Sequence, residues 1–141
     1  MRIRLLAIAS VAALLLGCGF TTYTFTQPGR GQVVFGADID PQHSAVKNRT
    51  TSASLSATVG MAAAFTRVVT GEVLIHAVGP DGHTVERKFG LVDPSAPFDV
   101  MTAYYPLTAL PSPGHYVFTV LSGSELLSTG ELDVTAPSPS S

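Results

Sequence analysis

A chain of 141 residues, 45% hydrophobic and 13% charged, has the size of one compact domain, and its single cysteine excludes an intramolecular disulfide framework and any zinc site built from several thiolates. The formal charge of −2 offers no cationic surface able to neutralise a run of phosphates, so nucleic acid is not an expected partner. Packing, and not covalent bridging, must hold the fold together.

The chain opens with Arg2 and Arg4 and continues as an apolar run from Leu5 to Gly17, the basic head and apolar middle of a secretory leader. The run falls short of the ~20 apolar residues that cross a bilayer. A cleaved leader over 1–17 is therefore expected, with an uncleaved anchor helix as the alternative. The arginines ahead of the run hold its head in the cytoplasm while the remainder is exported. Leu15-Leu16-Gly17-Cys18 resembles the lipobox of bacterial lipoproteins. That resemblance implies cleavage between Gly17 and Cys18, and thioether attachment of a diacylglycerol to Cys18. Acylation of the new amino group, with palmitate or a similar chain, often follows. Each buried methylene contributes about 0.8 kcal/mol, so two or three acyl chains anchor firmly where one would exchange. The expected location is the cell membrane, with the domain facing away from the cytoplasm. Because Gly19 is not Asp, the same resemblance favours the outer membrane if the source has two. Loss of residues 1–17 removes two arginines and no acids, leaving a more acidic chain with no polybasic patch, so the acyl group is expected to be the only membrane contact.

Residues 18–31 read as a polar tether, in which Tyr23 and Phe25 at alternate positions make a short edge strand the alternative. The domain proper is expected over 32–135, and the Pro/Ser-rich end 136–141 as a disordered tail. Within the domain, period-two alternation, β-branched residues and regular Gly and Pro clusters predict an all-β sandwich of about seven to eight short antiparallel strands. Strands are expected over Gln32–Ile39, stopped by Asp40-Pro41, and over Ser52–Val59. Met61–Thr70 is read as strand although its three alanines favour helix. Asn48-Arg49-Thr50, which matches a glycosylation sequon, is read as loop.

Glu72–Phe89 carries Gly79-Pro80-Asp81-Gly82 between two alternating runs and predicts a hairpin. Setting Ala77 opposite Val85 gathers Val73, Ile75, Ala77, Val85 and Phe89 on one face and brings His76 beside Glu86 on the other. Arg87 then falls on the apolar face and needs a partner or a way out to solvent.

Leu110-Pro111-Ser112-Pro113-Gly114-His115-Tyr116, followed by Phe118 and Val120, resembles the E–F corner and F strand of fibronectin-type and other immunoglobulin-like domains. The resemblance implies a structural corner in which Leu110 packs under the turn, Gly114 shapes it and Tyr116 hydrogen-bonds back to the loop. A second hairpin follows, Val117–Leu121 to Glu125–Val134, with Gly130 as the expected bulge. About function this resemblance says almost nothing, because sandwiches host unrelated activities.

The motifs that assert catalysis or metal chemistry are missing from the sequence. The four histidines, His43, His76, His83 and His115, have no close metal spacing. Asp38 and Asp40 share one strand face and are read as capping a strand end in preference to holding calcium. The pair Tyr104-Tyr105, with Phe98 and Met101 upstream, offers weak grounds for an aromatic patch. No catalytic residue, metal or cofactor is expected. The leading expectation is a non-catalytic protein-interaction module of the cell envelope, with an envelope protein as its partner. A carrier holding an apolar small molecule between its sheets is the alternative.

Overall fold

The computed structural model describes residues 22–139; the leader, the Gly17–Cys18 junction and residues 140 and 141 lie outside the described residues. The strands are β1 (Phe25–Thr26), β2 (Val33–Asp40), β3 (Ala45–Thr50), β4 (Ser52–Ser54), β5 (Thr58–Val69), β6 (Val73–Val78), β7 (Thr84–Phe89), β8 (Phe98–Pro106), β9 (Gly114–Ser122) and β10 (Glu125–Thr135). They form two five-stranded sheets, in the orders β1-β3-β2-β5-β8 and β4-β10-β9-β6-β7. All named ladders are antiparallel except β4 with β10. Strands β5 and β8, the latter at the sheet edge, lie in one sheet and β6 and β9 in the other, with the final strand beside β9. This is the Greek-key arrangement of an immunoglobulin-like sandwich.

The core lies between the sheets. Phe118 is its centre, with edge-to-face contacts to Phe35 at 4.8 Å and Tyr105 at 5.1 Å between ring centroids. Met61, Leu107, Leu127, Leu132 and Val120 fill the remaining space and are fully buried. Met61–Phe65 is strand, inside β5: its three alanines are small residues on a two-sided strand, and the pairing with β2 and β8 overrides their helical preference.

The β6–β7 hairpin has the register expected from sequence, Ala77 opposite Val85 and His76 opposite Glu86. Arg87 leaves the apolar face over the rim and sets its guanidinium above the Tyr105 ring, 5.4 Å from the centroid. At the other corner Tyr116 is fully buried beneath the β6–β7 turn, against Gly79, and its hydroxyl donates to the Ser112 carbonyl oxygen at 2.6 Å.

Four expectations need correction. The described residues form ten strands, with the short β1 and β4 and the whole of β3 adding to the expected number, and Asn48-Arg49-Thr50 lies on β3 and not in a loop; β3 buries only Ala45 and Val46, so its outer half carries no hydrophobic alternation to reveal it. Ser52–Val59 is not one strand: Ser52–Ser54 pairs with β10, a turn closed by the Ala57 N–H to Ser54 carbonyl bond crosses between sheets, and β5 starts at Thr58. The bulge in the last hairpin lies between Leu126 and Ser128, not at Gly130. Phe98 and Met101 are buried in the core and supply no surface patch. The segment read as a tether also contributes β1, where Phe25 pairs with Lys47 and Thr26 with Val46.

The β2–β3 hairpin leaves the plane of its sheet. After Gly36 it curls over the outer face of β5, so that Val46 closes a small second cluster with Val34 and Ala62. Gly36 and Gly60 pair across the ladder at the point of curl. A Cβ at Gly36 would lie 2.8 Å from that of Val46, and one at Gly60 would overlap the Asp38 carbonyl, so both positions need a residue without a side chain.

Candidate interaction site

Three places bring chemistry-bearing side chains together. The first is a cleft of about 450 Å³ on the side of β10 away from β9, just before β4 joins it, walled by Gln32 and the start of β2 as far as Phe35, by Arg49, Thr50 and Thr51, and by His115 and Thr129–Asp133. The outward backbone bonds of β10 run from the Thr129 N–H to the Gly31 carbonyl (3.0 Å) and from the Asp133 N–H to the Thr51 carbonyl (3.0 Å), and the cleft opens between them. By the alternation of the strand, Glu131 turns its main-chain N–H and carbonyl to the same side. His115 Nδ1 lies 2.6 Å from Asp133 Oδ1, and its Nε2 lies 3.7 Å from Glu131 Oε1. The hydrogen bond to Asp133, aided by both carboxylate charges, raises the imidazole pKa above its ordinary value. Arg49 makes no ion pair among the described residues. The cleft therefore presents one free guanidinium, a histidine held by two carboxylates, and three threonines.

The second place is the β6–β7 surface, where His76 Nε2 and Glu86 Oε2 are 2.8 Å apart. This pair belongs to a pattern: His43 meets Asp40, His83 meets Asp81 and His115 meets Asp133. All four imidazoles face carboxylates, and none is hydrogen-bonded to a Ser or Thr hydroxyl among the described residues. Among the described residues no three His, Cys, Asp or Glu side chains converge as metal ligands.

The third place surrounds the point where the described chain begins. Asp40 is 4% exposed and ends β2; its carboxylate accepts from the Tyr23 hydroxyl at 2.9 Å, meets His43 Nδ1 at 2.7 Å and caps the 3-10 turn Pro41–His43 through the His43 N–H. Burial on its own would raise the Asp40 pKa, but the His43 and Tyr23 hydrogen bonds outweigh it and the net shift is downward. Asp38 accepts from the Tyr104 hydroxyl and from the Ile39 N–H, and the first of these bonds is the main cause of its lowered pKa. Both aspartates thus serve as acceptors at the strand end. Around them, His43 stacks on Phe25 with centroids 4.3 Å apart, and Lys47 Nζ sits 4.5 Å above the Tyr23 ring.

Sequence reasoning brought His76 to Glu86 but missed the cleft and this aromatic cluster. Arg49 sat in a stretch read as loop, and Tyr23 and Phe25 in one read as tether; the alternation of the two aromatics was the one available signal. Leu110 and Tyr116 are both buried in the core, whereas Cys18 lies outside the described residues.

No protein-family model matches the chain, and no curated protein matches it. Among solved structures, it is similar to the crystal structure of an immunoglobulin-like protein from Pseudomonas aeruginosa, at 22% sequence identity over 82% of this chain and 98% of that one, with a TM-score of 0.45.

Proposed function

We propose that this protein is a lipid-anchored, non-catalytic interaction module of a bacterial envelope, held at the membrane through Cys18 and engaging an extended segment of a partner protein in the cleft beside β10. The cleft carries the docking part of this reading. It places the outward main chain of Glu131 next to the free Arg49 guanidinium and the Glu131 and Asp133 carboxylates, a combination suited to an extended polypeptide with charged side chains. The leader and Leu15-Leu16-Gly17-Cys18 support the anchor. The filled space around Phe118 favours this reading over a carrier, which needs a cavity of a few hundred Å³ between the sheets.

The test is site-specific photocrosslinking in growing cells. A crosslinker at Thr51 is expected to yield a discrete adduct that Arg49→Glu or Glu131→Lys abolishes, while one at Glu86 on β7 yields none. Equal labelling from both positions, or adducts indifferent to the two substitutions, would sink the docking assignment.

A further inference from the structure

We infer that the domain makes a second membrane contact of its own: the aromatic surface formed by Tyr23, Phe25 and Tyr104 rests in the interfacial layer of the bilayer. The inference rests on the lipid-anchored reading above, and it replaces the expectation that the acyl group is the sole contact.

Among the described residues, three of the exposed large hydrophobic side chains are aromatic, Tyr23 at 44%, Phe25 at 46% and Tyr104 at 55% exposure, and all three belong to one surface. Tyr104 bonds Asp38, Asp38 pairs across the ladder with Lys47, Lys47 covers Tyr23, and Tyr23 shares Asp40 with His43, which stacks on Phe25. The other three, Val68, Val92 and Leu126, lie at the far end of the sandwich, where Arg67 at the end of β5 bonds Glu125 at the start of β10. Along β5 the distance from Gly60, beneath the curled hairpin, to Val68 is about 27 Å.

Chain length decides which end meets the lipid. Cys18 precedes Thr22 by four residues, and at no more than ~3.6 Å each the acylated cysteine lies within roughly 15 Å of Thr22 by any path. The next side chain along is Tyr23. The far end cannot approach the bilayer on so short a connection without first burying this one against it.

The chemistry of the surface fits that place. Aromatic rings with a polar handle concentrate at the headgroup level of bilayers. Here the Tyr23 and Tyr104 hydroxyls are already held by Asp40 and Asp38, so the rings are fixed before contact and little side-chain freedom remains to be lost. Lys47, beside them, places its ammonium where lipid phosphates lie.

The absence of tryptophan from the chain gives a clean reporter. Full-length acylated protein, carrying Phe25→Trp or in parallel Tyr104→Trp, is reconstituted into phosphatidylcholine vesicles containing lipid brominated near the top of its acyl chains. Leu126→Trp reports the far end, and intact mass confirms acylation of each sample. The expected result is blue-shifted emission at both near positions with loss of intensity to brominated lipid, and neither effect at position 126. Acylated protein whose near and far tryptophans respond alike overturns the inference and leaves the anchor standing. Protein from native membranes without acyl mass overturns the anchor, and the inference with it.

Discussion

Tyr116 shows how much one side chain can secure. It fills the space under the β6–β7 turn and ties the β8–β9 connection through Ser112, so Tyr116→Phe is expected to lower stability by about 1–2 kcal/mol in urea unfolding by leaving that carbonyl without its donor. Gly60 acts by having no side chain. Gly60→Ala forces the Asp38 backbone outward, and a loss of about 1–3 kcal/mol is expected from the same measurement, whereas Gly82→Ala, facing open space, reports only the backbone strain of its positive φ. Residue roles of these two kinds were unequally legible. The spacing of Leu110, Gly114 and Tyr116 pointed to a corner, but nothing local to Gly36 or Gly60 signals that a hairpin will lie across them. Gly130, read as a bulge, is instead where β2 passes close to β10: a Cβ there would stand 2.8 Å from that of Val33.

Among the elements, hairpins joined by short turns were readable because pairing there is local. The β6–β7 register followed from alternation and turn chemistry alone. Strand β3 was not readable, because only its first two residues are buried and its polar half faces water, and neither was the crossover at Leu55–Ala57, which is set by the sheet that each half joins. The β2–β3 hairpin is also the acid-sensitive part of the fold. Asp38 and Asp40 have lowered folded-state pKa values, so their contribution is present above the unfolded carboxylate value, about 4, and is lost as the pH falls through the folded values. Amide protection at residues 39–47, relative to the intrinsic exchange rate at each pH, is therefore expected to fall in acid before protection in β9 does; simultaneous loss would contradict this. His115 has the opposite sign. Its pKa is raised, so its bond to Asp133 contributes fully below the unfolded histidine value, about 6.5, and that contribution disappears as the pH rises through the folded value. His115→Gln should flatten the pH dependence of stability on that alkaline side without changing the acid limb.

At the scale of the molecule, two sheets close on one aromatic centre. Phe118→Ala removes the ring that touches Phe35, Tyr105 and Tyr116 together, and a cost of about 3–5 kcal/mol is expected in urea unfolding, a large share of the roughly 5–15 kcal/mol that holds a domain of this kind folded. Fold class was legible because a sandwich of short strands writes itself in period-two alternation and regular turns. The two proposed interaction surfaces were not, because each assembles from segments distant in sequence: Arg49, His115 and Glu131 in the cleft, and Tyr23, Phe25 and Tyr104 at the other surface. On the proposed reading both surfaces take their meaning from a membrane on one side of the domain, which makes the chemistry of Cys18 decisive. Intact mass spectrometry of protein extracted from its native membrane, beside a Cys18→Ala variant, measures it directly. The account predicts loss of residues 1–17 with two or three acyl chains added, and neither change in the variant. An unacylated chain, retaining its leader or cut elsewhere, would contradict it.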